Sequence, residues 1–198
     1  MRNPFARNGI KSLSIPLFIN QSIIPGMAGP LTRELFLLLS HFPDLQVYQG
    51  EDKSADGVLL GIISSEDLRH KTFIPSQHQF TESSEIVQSI GNRNPFFIPT
   101  RVDYQLSLRL VLIKRPSEMD MAFLKTKLST RTPRHPAVVF DRTLNLSGGY
   151  VQTIDDNTGP DRGGPVNFTK NQGNFRKSVE DLAKSAAENF KQEILDVF

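Results

Sequence analysis

Cysteine is absent from the 198 residues, which removes thiol nucleophiles, disulfides and thiolate metal sites together. Tryptophan is absent too, and the aromatic content rests mainly on 14 Phe. Charge of one sign is scarce: 23 Lys and Arg stand against 21 Asp and Glu, leaving a net charge of only +2. Electrostatic binding to nucleic acid comes with dense Lys/Arg clustering on one face, so this balance argues against a nucleic-acid partner. Long apolar runs are also missing. No stretch approaches the ~20 apolar residues of a membrane-spanning helix, because Arg, Lys, Asp or Pro interrupts each one. Behind Met1-Arg2-Asn3-Pro4-Phe5-Ala6-Arg7 no long apolar segment follows, so no signal peptide is visible.

What is present suits a folded globular protein: 38% hydrophobic residues with only 22% charged. The length suits one core, with residues 1–9 expected as a flexible N-terminal segment and residues 10–198 as a single α+β domain. Leu13, Ile15, Leu17 and Ile19 recur at every second position, the period of a strand with one face in the core. Pro16 cannot donate to a ladder, which places an edge or bulge beside it. Pro25-Gly26 and Gly29-Pro30 then break the chain, and Leu31, Leu35, Leu38, Leu39 and Phe42 form the stripe of an amphipathic helix that Pro43 stops. Leu45 to Gln49 is a short extended candidate. Ala55-Asp56-Gly57-Val58-Leu59-Leu60-Gly61-Ile62-Ile63 is apolar on both faces and therefore a central strand.

From Ser64 to Arg101 the pattern dissolves into polar residues and prolines and reads as a long surface excursion. Tyr104, Leu106, Leu108, Leu110 and Leu112 then alternate cleanly with Gln105, Ser107 and Arg109, and a partner strand over Ala122 to Ser129 is expected to complete a hairpin. Thr132 to Gly173 is rich in Gly and Pro and reads as a second long loop with at most a short strand around Ala137 to Phe140. The last helix, capped at Asn174 or Ser178, carries the stripe Phe175, Val179, Leu182, Ala183, Ala186, Phe190, Ile194 and Val197. The expected fold is α+β: two helices packed on one face of a mixed, roughly four-stranded sheet. The opposite face is expected to stay free to meet a larger partner.

Chemistry-bearing patterns are few. His41, His70, His78 and His135 show no His-x-x-x-His or helical pair, and Asp155, Asp156 and Asp161 lack the ordered spacing of a calcium loop, so no metal site is expected. Gly159, Gly163 and Gly164 match neither phosphate-loop spacing. A hydrolase would need His135 and Asp155 or Asp156 in one pocket, and no nucleophile–base spacing supports it; no cofactor and no enzymatic activity are expected. Three Asn-x-Ser/Thr triplets, at Asn20, Asn145 and Asn167, are of a kind that chance produces often. Arg109, Lys125, Lys127 and Arg131 would share the polar face of the expected hairpin, where mutual repulsion favours a bound anion such as a lipid phosphate. A solvated basic face is the plainer reading of the same residues. Phe96, Phe97 and Ile98 lie in Asn94-Pro95-Phe96-Phe97-Ile98-Pro99, an aromatic loop segment suited to contact a partner.

The elements Ile10-Lys11-Ser12-Leu13-Ser14-Ile15-Pro16-Leu17-Phe18-Ile19-Asn20, Pro25-Gly26, Leu31-Thr32 with its helix, Ala55 to Ile63, the Tyr104-led strand and the Ala-rich final helix together resemble the LptE-type lipopolysaccharide-assembly lipoproteins of Gram-negative bacteria. That resemblance implies a non-catalytic outer-membrane lipoprotein on the periplasmic face, held by an N-terminal lipid anchor on a cysteine preceding this chain. It implies an LptD-type β-barrel and lipopolysaccharide as partners, with the chain acting as plug. A free-standing periplasmic lipid- or polymer-binding chaperone is the alternative.

Overall fold

The computed structural model describes residues 3–80, 97–117, 119, 137–153 and 168–197. In chain order the elements are β1 (Ser12–Ile15), β2 (Ile19–Asn20), α1 (Ala28–Ser40), β3 (Gln46–Gln49), β4 (Gly57–Ser64), α2 (Arg69–Thr72), β5 (Phe73–Phe80), β6 (Phe97–Lys114), β7 (Val138–Val151) and α3 (Phe168–Val197). The fold is α+β, and among the described residues the mixed sheet holds seven strands where roughly four were expected. β1 is parallel to β3 and β4, and β2 is parallel to β4. β6 runs antiparallel to β4 and β5. β7 pairs with β6, through Lys114 N to Ala137 O at 2.8 Å and Gln152 N to Thr100 O at 2.7 Å. Two compact units result: Met1–Ser65 with Leu106–Leu146 and Ala183–Phe198, and Glu66–Gln105 with Ser147–Leu182. β6, β7 and α3 each contribute a segment to both.

In the first unit, Leu13 and Ile15 of β1 are buried and the strand ends just before Pro16, whose missing N–H cannot continue a ladder flanked on both sides by β3 and β4. α1 keeps Pro30 in its first turn and ends at Ser40, three residues before Pro43. It buries Leu31, Leu35 and Leu39 completely, each contributing about 1.5–3 kcal/mol of apolar transfer. The Phe18 amide donates to Thr32 Oγ1 at 3.0 Å, tying the chain before β2 to α1. The Phe18 ring lies over Gly61, where an added Cβ would sit 2.5 Å from ring carbons, so only glycine fits there.

Gly61 faces the same way as its cross-strand neighbour Leu110, and strand alternation puts Phe140 of β7 on that side, opposite Asp141 and Arg109. Phe140 meets Phe190 of α3 edge to face at 5.7 Å between centroids. Thus α1 and the Ala183–Val197 part of α3 share one face of the sheet in this unit, as the two apolar stripes required. Residues 3–9, expected as flexible, are instead anchored. Phe5 is fully buried, and Asn3 Nδ2 donates to Ile10 O at 2.7 Å and to Asp44 O at 3.3 Å.

The other face corrects the expectation of an open surface. Val58, Leu60 and Ile62 of β4 with Val111 and Ile113 of β6 are buried there, and Ala137 and Val138 pack against them. β4 is central and apolar on both sides, so leaving either side in water would forfeit its burial energy.

The second unit departs furthest from the sequence reading. β5 and the start of β6 occupy much of the expected excursion from Ser64 to Arg101, in register from Phe73↔Tyr104 to Phe80↔Phe97 with shifts near Gln77. Residues 74–77 are exposed, so β5 is held by backbone pairing and carries no core alternation to read. β7 is 14 residues long, where at most a short strand at Ala137 to Phe140 was expected. Its Ser147-Gly148-Gly149 stretch is strand, with Gly148 against the Tyr104 ring and Gly149 against the Asp103 carboxylate. α3 starts at Phe168, ahead of Asn174 and Ser178. Asn171 Oδ1 accepts from Thr153 N at 2.6 Å and Asn174 Nδ2 donates to Val151 O at 2.9 Å, fastening the early turns to the end of β7.

Candidate functional site

β6 alternation puts Ser107 and Arg109 on the same face as Val111 and Ile113, opposite Ser64 and Ile62 of β4. That face therefore passes from a buried aliphatic patch to a polar end within one strand. Arg109 is held bidentately by Asp141 of β7: Nε to Oδ1 at 2.9 Å and Nη2 to Oδ2 at 2.6 Å. The hydrogen bonds that Arg109 donates to Asp141 push the guanidinium pKa further above its ordinary value, with partial burial acting against them. Ser107 Oγ donates to Asn145 Oδ1 at 3.1 Å beside this pair. An incoming anion at this end of the sheet competes with, or adds to, a carboxylate already in place.

Lys125, Lys127 and Arg131 lie outside the described residues, as does the expected partner strand from Ala122 to Ser129. Of the four expected cations the structure thus places Arg109 alone, and its counter-ion is a residue the sequence reading missed. Asp141 follows directly on the Ala137 to Phe140 strand candidate; extending that alternation by one residue would have found it. Phe96 also lies outside the described residues. Phe97 and Ile98 open β6 and pair with Phe80 and Gln79, so that part of the aromatic segment is strand where a loop was expected.

In the second unit, Tyr104, Phe73, Tyr150 and Phe175 form a ring cluster with centroids 5.3–6.5 Å apart. The Tyr104 hydroxyl lies 2.8 Å from Ser178 Oγ, which donates to Gly149 O at 2.8 Å. Burial pushes the phenol pKa up, so Tyr104 stays protonated and serves as a pin between β6, α3 and β7. Beside it Arg101 Nε donates to Asp103 Oδ1 at 3.0 Å. A hydrogen bond from Ser76, ahead of the Arg101 charge, holds the Asp103 carboxyl below its ordinary range. Among the described residues no three His, Asp or Glu side chains come together as a metal site, and His135, Asp155 and Asp156 lie outside them. No helix of the described residues is long and apolar enough to cross a membrane.

No family model matches the chain, and no curated protein matches it. Among solved structures it is similar to a Caulobacter crescentus CB15 protein provisionally assigned as a lipoprotein, at 10% identity over 89% of this chain and 86% of that one, with a TM-score of 0.45. It is similar to PelC of Paraburkholderia phytofirmans, solved as a dodecamer, at 10% identity over 88% and 84%, TM-score 0.37. It is also similar to lipoprotein GNA1162 of Neisseria meningitidis, at 9% identity over 76% and 88%, TM-score 0.36. Likenesses this distant carry no argument about activity.

Proposed function

We propose that this chain is a non-catalytic lipoprotein of the Gram-negative cell envelope. It sits at the periplasmic face of the outer membrane as partner and plug of an LptD-type β-barrel and assists lipopolysaccharide transport. One observation carries the reading. The residues that resemble the LptE-type family fall on β1, α1, β4, β6 and α3, and within the first unit α1 and α3 cover the same sheet face. Function here is occupancy and contact, with no bond made or broken. Arg109, Lys125, Lys127 and Arg131 are the groups suited to lipid phosphates, and Asp141 holds Arg109 in place until an anion arrives.

The test is binding of purified protein to lipopolysaccharide at two salt concentrations. Lys125→Glu with Lys127→Glu weakens binding, and Asp141→Asn, which releases Arg109 from its counter-ion, strengthens it at low salt. Binding unchanged in both variants removes the basic residues from the account. A second reading, a free-standing periplasmic lipid-binding chaperone, draws support from the buried second face at Val58, Leu60, Ile62, Val111 and Ile113, which offers a barrel wall little open sheet. It predicts lipopolysaccharide binding without any stable complex with a barrel.

A further inference from the structure

We propose that the outer edge of β3 is a docking strand for an extended peptide segment of a partner protein, neutral at its centre and basic at both ends. The proposal is independent of the barrel reading and rests on different residues. β3 pairs with β1 and, among the described strands, with no other. Gln46 N donates to Lys11 O at 2.9 Å and Gly50 N to Ile15 O at 2.9 Å, so the backbone groups of Gln46, Tyr48 and Gly50 turn toward β1. Alternation turns the N–H and C=O of Val47 and Gln49 outward, a set of two donors and two acceptors that an antiparallel strand satisfies completely.

The edge is short but carries no charged or proline guard. Gln46-Val47-Tyr48-Gln49 holds no Lys, Arg, Asp, Glu or Pro, and Gln46, Tyr48 and Gln49 are exposed. Charge sits at its two ends instead. Asp44 precedes the strand, and Glu51 and Asp52 follow it, outweighing Lys53. Hydrogen bonds from the Ser54 hydroxyl and amide hold the Asp52 carboxyl below its ordinary range, so this end stays negative. A second copy of this chain is a poor occupant. Antiparallel pairing centred on Tyr48 would set Asp44 of one copy opposite Asp52 of the other, a like-charge juxtaposition across strands. A partner segment with Lys or Arg at each end meets opposite charge at the same two places.

Fluorescence anisotropy of the full chain with a labelled peptide of alternating Thr and Val, flanked by two Lys at each end, tests this. The Lys-flanked peptide is expected to bind about tenfold more tightly than its Glu-flanked counterpart, with the advantage shrinking as salt rises. Methylating alternate backbone nitrogens of the peptide abolishes binding, because the ladder donors are gone. Val47→Pro, which removes an outward N–H without touching a bond to β1, weakens binding about tenfold. The N-methylated peptide keeps the test decisive should that variant fold poorly. Equal binding of Lys- and Glu-flanked peptides, or undiminished binding of the N-methylated one, overturns the proposal. Self-association of the chain that Val47→Pro abolishes also overturns it, by making a second copy the occupant.

Discussion

The two compact units close their cores by different means. In the first, aliphatic stripes from α1 and the end of α3 meet Leu and Ile of β1, β4 and β6, with Phe140 and Phe190 as the aromatic contact. In the second, the rings of Phe73, Tyr104 and Tyr150 gather around Phe175, and the Ser178 hydroxyl, shared by Tyr104 and Gly149, fixes α3 to two strands. The first kind of core depends on volume and tolerates swaps that conserve it. The second depends on geometry, since glycines at 148 and 149 make room for one particular ring and one particular carboxylate.

The comparison breaks most readily at Phe190. Phe190→Ala removes a fully buried ring against Phe140 and should cost about 3–5 kcal/mol, read by urea denaturation. Phe175→Ala, at a half-buried position of the ring cluster, should cost clearly less; the reverse order would mean the ring cluster is the main core. Gly148→Ala places a Cβ 2.5 Å from Tyr104 ring and hydroxyl atoms and should cost about 1–3 kcal/mol. Combining it with Tyr104→Leu should recover part of that loss, whereas strict additivity would deny that the glycine exists for the ring.

The smallest effect is expected at Asp56, which accepts from the amides of Lys11 at 3.0 Å and Ser12 at 3.2 Å and so pins β1 to the start of β4. The Lys11 amide, foremost among several hydrogen bonds, holds its carboxyl below the ordinary value of 3.8. A depressed folded-state value means stability that is present above the ordinary value and lost as pH falls through the lower one. Asp56→Asn should therefore cost about 1 kcal/mol at neutral pH, with the difference from wild type vanishing in acid. A gap that persists in acid would assign the loss to geometry and not to charge.

The first unit was legible in the sequence where an element buries one face, since burial writes a period of two or 3.6 into Leu31–Phe42, Leu106–Leu110 and Ala183–Ile194. The alternation expected over Leu13 to Ile19 does not hold, because β1 ends at Ile15, Ser14 and Phe18 are buried and Leu17 is exposed. β4 is legible as central for the opposite reason, being apolar on both sides, a pattern that itself requires the covered second face seen at Val58, Leu60 and Ile62. β5 left no trace because residues 74–77 are exposed and Pro75 sits within them. β7 was hidden by Gly148-Gly149, read as turn formers although here they serve close approach. Asp141 was within reach of the Ala137 to Phe140 strand candidate, but its pairing with Arg109 was not, because strand partners are chosen by long-range register, which no local spacing records.

Co-expression with the cognate LptD-type barrel protein, followed by affinity capture of this chain and quantification of the barrel, tests the proposed role most directly. The account predicts a stable complex that survives high salt, since a plug is held by shape and apolar contact more than by charge. Quantitative recovery of this chain without the barrel would contradict it.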